Sequence, residues 1–137
     1  MNSVRIGGRE IPLRFGLAFI RELDKKFERK TPDGLVYGQG LSYTYLSMHS
    51  GDVLVLSDVI QAATCTEEIP PTQDEIDTYL EAEDTDLEAL RERFLSLYET
   101  SKLMKNEITP VAEALGRLEP PKTTSAGSRQ KRPTKTS

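Results

Sequence analysis

The residue types that most often carry out catalysis are sparse in this 137-residue sequence. His49 is the only histidine and Cys65 the only cysteine, so neither has a second residue of its kind with which to share a proton or a metal ion. A lone histidine beside a turn is usually a surface or capping residue, and we interpret Cys65 as a small buried apolar residue at a helix end. We therefore predict that the protein is not an enzyme.

A dense acidic run is the next candidate for a chemical site. Its members are Asp74, Glu75, Asp77, Glu81, Glu83, Asp84 and Asp86. The run lacks the alternating oxygen ligands and the central glycine of a calcium loop. Helix capping and solvation account for these carboxylates, and an acidic face that binds a protein partner is the alternative. No metal site is predicted.

The glycines do not predict a nucleotide site. Gly34, Gly38 and Gly40 share a segment without the Gly-Lys-Ser/Thr ending of a phosphate-binding loop, and the pair at 7–8 precedes a strand rather than a helix. We therefore predict that the protein needs no cofactor.

Cysteine use and hydropathy indicate where the protein works. One cysteine excludes an internal disulfide and a cysteine-based zinc site, which fits a reducing compartment. Residues 1–15 lack the apolar run of a signal peptide, and no stretch approaches the roughly 20 apolar residues needed to cross a bilayer. We expect a soluble intracellular protein that has no membrane partner.

The elements that position these residues begin with a predicted β-hairpin. Val4 and Ile6 alternate with Arg5, Ile11 and Leu13 alternate with Pro12 and Arg14, and a glycine pair between the two segments suits a two-residue turn. Apolar residues then recur at helical spacing, and we predict that the hairpin packs on this first helix. The expected fold is therefore mainly α, a single small helical domain with an N-terminal hairpin.

Helical periodicity predicts main helices near residues 16–30, 53–65, 73–83 and 86–104. Residues 41–48 favour a short helix, with a strand as the alternative, after a loop over 35–40. Capping boxes are predicted at Thr72–Glu75 and Thr85–Glu88, and Thr109-Pro110 could start one more short helix.

The chain after Glu119 has five Lys/Arg, no acidic residue and no large apolar residue. Such a composition predicts a disordered basic tail over 120–137, after a helical domain over 1–119. Five dispersed positive charges without aromatic residues make a weak nucleic-acid site, so nucleic acid is not an expected partner.

The order of the segments resembles a known family. The hairpin leads into FGLAFIRELDKKF at 15–27, then GLSYTYLSMHSGD at 40–52, LSDVIQAAT at 56–64 and an acidic helical region at 70–101. Residues 4–104 resemble the tail assembly chaperones of long-tailed (siphovirus-type) phages and prophages of Gram-positive hosts, with FGLAFIRELDKK as the most specific segment. This resemblance implies a non-enzymatic assembly factor of the host cytoplasm that is absent from the mature virion. It would bind and solubilise the tape measure protein and help to recruit tail-tube subunits.

Two other functions remain as alternatives. One is a structural protein of the virion, such as a head–tail connector or a tail-completion subunit. The other is a small nucleic-acid-binding regulator that uses the basic tail, which the excess of acidic residues before residue 120 disfavours.

Candidate interaction residues follow from exposure and charge. For client binding we select apolar positions of the predicted short helix: Tyr43, Tyr45, Leu46 and Met48. Residues 1–30 carry eight basic against four acidic residues, and residues 67–92 carry eleven acidic against one basic. We hypothesise self-association, as a homo-oligomer or a head-to-tail array, through these opposed charges. The residues selected are Arg21, Lys25, Lys26, Arg29, Asp74, Asp77, Glu81 and Asp84; the alternative is that both regions are merely solvated.

Overall fold

A computed structural model describes residues 2–119 of the protein, with residues 36 and 37 described by their backbone alone. The helices are α1 (Leu17–Lys26), α2 (Gly40–His49), α3 (Leu54–Ala63), α4 (Gln73–Glu81), α5 (Leu87–Thr100) and α6 (Lys105–Ala114). The strands are β1 (Ser3–Ile6), β2 (Arg9–Pro12), β3 (Glu28–Lys30) and β4 (Val36–Gly38). The prediction of a small, mainly α domain with an N-terminal hairpin is confirmed. The tail predicted over 120–137 lies outside the described residues.

The N-terminal hairpin forms where the alternating pattern placed it. β1 and β2 pair antiparallel, with Val4 opposite Ile11. Gly7 and Gly8 have φ values of 61° and 76°, and a two-residue turn of this hand needs positive φ at both central positions. Val4, Ile6 and Ile11 are all buried, so one side of the ribbon belongs to the core.

The main packing partner of the hairpin differs from the prediction. β1 packs against α4 rather than α1. Arg9 adds polar contacts there: one of its Nη atoms donates to the Ile69 carbonyl oxygen at 3.0 Å and the other lies 3.8 Å from Glu75. The apolar side of α1 instead packs against α2 and α3 and buries Phe19 and Leu23.

α2 is the central helix of the domain. It packs against α1, α3, α5 and α6, and it buries Leu41, Thr44, Tyr45 and Met48. The buried hydroxyls of Thr44 and Tyr98 lie 2.7 Å apart, so each provides the other with a hydrogen-bond partner in place of water. Residues 41–48 are therefore helical, and the alternative of a strand is excluded.

A second hairpin replaces the predicted end of the first helix and the loop after it. α1 stops at Lys26, and β3 pairs antiparallel with β4, with Arg29 opposite Tyr37. The turn between them is closed by the Thr31 amide, which donates to the Leu35 carbonyl oxygen at 2.8 Å. Gly34 provides the positive φ of 93° in this turn.

The predicted capping boxes have different outcomes. Thr72 and Glu75 form the complete box at the start of α4, as predicted. At α5 the cap is Asp86, whose side chain accepts from the Ala89 amide at 3.0 Å. Thr85 is not the cap, because its hydroxyl donates to the Tyr79 carbonyl oxygen at 2.6 Å and so closes the end of α4.

The last two helices have other bounds than the predicted helix over 86–104 and the short helix predicted from Thr109. α5 ends at Thr100, and α6 begins at Lys105 rather than at Thr109, with Pro110 inside it. The proline removes one amide donor, and α6 still buries Ile108 and Ala112 against its neighbours.

Candidate protein-binding surfaces

The outward side of α2 carries two large side chains that are accessible to solvent. Tyr43 is 47% exposed and Leu46 is 45% exposed, and their spacing of three residues places them on one side of the helix. The ring centroids of Tyr43 and Phe27 lie 4.7 Å apart, which extends the apolar area toward α1. We call Phe27, Tyr43 and Leu46 the α2 surface.

Two of the four residues selected for client contact need correction. Tyr45 and Met48 are 0% exposed, so they belong to the core. The sequence could not separate these positions because residues 41–48 have apolar or aromatic residues on every side of the helix. Only packing against four neighbouring helices determines which side faces out.

Tyr45 takes part in a polar network at the end of the domain. Its hydroxyl donates to Glu99 Oε2 at 2.5 Å, and Arg117 binds the same carboxylate. The two Nη atoms of Arg117 also donate to Glu92 at 3.0 and 3.1 Å. We call Arg117, Glu92 and Glu99 the Arg117 clip. Burial, reinforced by the Glu99 carboxylate, raises the pKa of Tyr45, so its phenol stays neutral and structural.

Two of the charged residues selected for self-association, Lys26 and Asp77, are connected through side-chain contacts. Lys26 Nζ lies 3.0 Å from an Asp58 oxygen and donates to Gln61 Oε1 at 2.6 Å. Gln61 in turn donates to Gln73, which donates to Asp77 at 2.7 Å. A polar chain therefore runs from α1 across α3 to α4. The residues Arg21, Lys25, Lys26, Arg29, Asp74, Glu81 and Asp84 are exposed, and Asp77 is partly exposed.

A cleft of about 590 Å³ lies between the turn of the first hairpin and α4. Ile6, Tyr79 and Ala82 contribute apolar wall, and Asp74, Asp84 and Asp86 lie among the lining residues. Sequence reasoning missed this cleft because the hairpin was expected on α1. Over residues 2–119, no group of three or more His, Cys, Asp or Glu side chains is arranged to hold a metal ion.

The sequence model of a family described as phage tail assembly chaperone protein, TAC, matches residues 3–112. The chain belongs to this family of tail assembly chaperones. No curated protein matches the chain, and no solved structure matches it.

The matched region of the chaperone runs from the first hairpin into α6 and includes the α2 surface and the charged residues selected for self-association. The family is one of assembly proteins rather than of catalysts, and its role implies protein partners in tail assembly. No helix within the described part of the chaperone is long and apolar enough to cross a membrane.

His49 and Cys65 occupy ordinary structural positions in this chaperone. His49 is half-buried at the end of α2 and lines a shallow cavity with Arg91. Cys65 is half-buried rather than fully buried as predicted, and its Sγ lies 3.9 Å from the Ala18 carbonyl oxygen. Burial, with a contribution from Glu22, raises the pKa of the Cys65 thiol, which disfavours the reactive thiolate.

Proposed function

We propose that this chaperone binds the tape measure protein, keeps it soluble and helps to recruit tail-tube subunits. The work would take place in the host cytoplasm, and the chaperone would not remain in the mature virion. The observation that carries the proposal is the α2 surface, where Tyr43 and Leu46 are each about half exposed on a helix whose other side is core. Accessible apolar side chains on an ordered helix suit a client that presents an apolar helix face of its own.

The chemistry of the α2 surface favours this class of client. Phe27 and Tyr43 provide aromatic contact area, and aromatic residues contribute strongly to binding energy at protein interfaces. A long helical client that exposes many apolar stretches would be covered by many copies of the chaperone. The charged residues across α1, α3 and α4 would then join neighbouring copies, which is the self-association part of the proposal.

The proposal is tested by co-expressing the full chain with the tape measure protein of the same phage. We expect a soluble complex with several chaperone copies per client. The double variant Tyr43→Ser, Leu46→Ser should weaken binding by roughly tenfold or more, since two apolar contacts are lost. Ile69→Ser is the matched control, because Ile69 is 69% exposed but lies beside the first hairpin, away from α2.

The readouts are pull-down yield and the fraction of client in the soluble extract. Circular dichroism of each purified variant checks that the domain is folded, and exposed positions should tolerate serine. A client that stays insoluble and unbound beside a folded wild-type chaperone would contradict the proposal. Detection of the chain in purified particles would instead support a structural protein of the virion.

A further inference from the structure

α3 presents a single outward stripe between two other helices. Leu54, Asp58 and Gln61 follow one another at spacings of four and three residues, which keeps them on one side of the helix, and Cys65 follows just beyond the helix end. Leu54 is 75% exposed, and the other three are partly exposed. α1 packs on one side of α3 and α4 on the other, so this stripe is the middle of a three-helix face.

The two borders of the face have opposite charge. Lys25 and Lys26 lie on the α1 border, and Lys26 reaches Asp58 on the stripe at 3.0 Å. Asp74, Asp77 and Glu81 lie on α4, and Asp77 is linked to Gln61 of the stripe through Gln73. The face is therefore basic along one border, mixed in its middle and acidic along the other.

This arrangement restricts how two copies can meet. An open head-to-tail array needs its two complementary patches on different sides of the molecule. Here only α3 separates the basic from the acidic border, and packed helices lie about 8–10 Å apart. A neighbour large enough to cover one border therefore covers the other as well. A two-fold axis that lies in the contact plane and runs along the α3 stripe would place the basic border of each copy on the acidic border of the other, which makes two equivalent contacts.

We infer that the face formed by α1, α3 and α4 binds a second copy of this chain in a closed, two-fold dimer. The two Leu54 side chains lose solvent exposure in this contact, and the charged borders determine its orientation. Exposed ion pairs are individually weak and are screened by salt, so the dimer is weak and salt-sensitive. The inference specifies the geometry of the self-association proposed above and is tested on the chaperone alone. Its failure and a failure of client binding can therefore be told apart.

The first experiment is sedimentation of the full chain over a range of concentrations, at low salt and at about 1 M salt. At low salt the mass should rise with concentration from 15.4 kDa and level off at two copies. At high salt the midpoint of this rise should move to a concentration at least roughly tenfold higher. Three results would each overturn the inference: a monomer at every concentration, a mass that grows past two copies without a plateau, or a dimer whose dissociation constant is the same at low and high salt.

The second experiment reverses one charge on each border. Lys25 is 71% exposed and pairs only with Glu22 of its own helix among the described contacts, so Lys25→Glu should not disturb the fold. Glu81 is exposed on α4, and Glu81→Lys is the opposite change. Each variant alone places like charges at both contacts of a two-fold dimer and should raise the dissociation constant by roughly tenfold.

An equal mixture of the two variants should recover the dimer, since each reversed border then meets one of opposite charge. Lys102→Glu and Glu119→Lys make the same changes in net charge away from the face and should dimerise as the wild type does. Leu54→Ser should also weaken the dimer, with the fold checked by circular dichroism. The inference would be overturned if the single variants dimerise as tightly as the wild type, or if the mixture dimerises no better than each variant alone.

Discussion

At Gly40 the backbone of α2 passes so close to α1 that there is no room for a side chain. A Cβ atom at this position would lie 2.5 Å from both the carbonyl carbon and the Cβ of Leu23. The Gly40 amide also donates to Asp24 Oδ1 at 3.0 Å, which holds the start of α2 against α1. The crossing of these two helices therefore depends on a glycine.

Gly40→Ala should lower the free energy of unfolding by about 1–3 kcal/mol, because α1 and α2 must move apart to admit the methyl group. Gly16→Ala is the control, since a Cβ there meets nothing within 4 Å and the N-cap preference for glycine costs less than about 1 kcal/mol. Urea unfolding followed by circular dichroism measures both values. Equal stability of the two variants would show that the helices do not need this close approach.

For single residues, the sequence predicted hydrogen bonds between near neighbours in the chain better than it predicted which side chains are exposed and which are buried. The Thr72–Glu75 box formed because both of its partners lie within one turn of the chain. The exposure of Tyr43 against the burial of Tyr45 could not be predicted, because it depends on helices distant in sequence. The same holds for Thr85, whose acceptor belongs to the preceding helix.

At the scale of elements, the Arg117 clip fastens the segment after α6 to α5. Arg117 contacts Glu92 and Glu99, which are two helical turns apart, so a single guanidinium spans that side of α5. The Arg117 and Glu99 side chains are only 19% and 11% exposed. Hydrogen-bonded charge pairs that are shielded from solvent contribute more to the stability of the fold than pairs on the open surface do.

Arg117→Leu should lower the free energy of unfolding by about 1–3 kcal/mol, since the Glu99 carboxylate loses its cation while remaining shielded from water. Arg91→Leu is the control. Arg91 pairs with Glu88, which is 77% exposed, and loss of such a pair costs less than about 1 kcal/mol. Chemical denaturation at pH 7 gives both values, and similar losses in the two variants would contradict a special role for the clip.

The effect of Arg117→Leu should also depend on pH. Hydrogen bonds from Arg117 hold the pKa of Glu92 below its usual range. A lowered folded-state pKa adds stability above the ordinary glutamate value of about 4.3, and this stability is lost as the pH falls through the lowered value. The difference between wild type and variant should therefore shrink in acid.

Whole elements were predictable where many residues repeat one pattern. α1, α3 and α4 show clear apolar periodicity, and their locations matched the prediction to within a few residues. β3 and β4 have only three residues each, and β3 is entirely charged, so no alternation was available to indicate a ribbon. The break at Ser101 was missed because apolar positions continue through it at helical spacing.

At the scale of the whole molecule, stability should be concentrated around α2. This helix packs against four others and carries the buried Thr44–Tyr98 contact. The β3–β4 ribbon lies at the other extreme, since the side chains of all three β3 residues are exposed. Regions with few buried contacts open locally at low free energy, whereas a central helix opens only with the whole domain.

Hydrogen exchange should therefore find the slowest amides in α2 and the fastest ordered amides in β3 and β4. Mass spectrometry of peptides from the native protein measures this order, with α4 as the internal comparison because it packs against α3 and β1. Exchange in α2 as fast as in α4, or a well-protected β3–β4 ribbon, would contradict the assignment of α2 as the centre of stability.

The charge runs were visible in the sequence, but their proximity was not. Residues 25–26 and 74–81 are far apart along the chain, and only the insertion of α3 between α1 and α4 brings them to one face. The prediction of self-association through the opposed charges of residues 1–30 and 67–92 did not specify how the two regions lie in space. A head-to-tail array stays a prediction, and the face across α3 favours a closed pair instead.

The β3–β4 ribbon has a consequence for solubility. Within residues 2–119 it has two strands only, so the outer edge of β3 is not paired with a third strand and offers backbone groups to a strand of another molecule. Glu28, Arg29 and Lys30 give β3 a charge at every position. Charged side chains along an open edge oppose the pairing of strands into aggregates. The three charged residues that made β3 unpredictable from its sequence pattern therefore also protect the protein from aggregation.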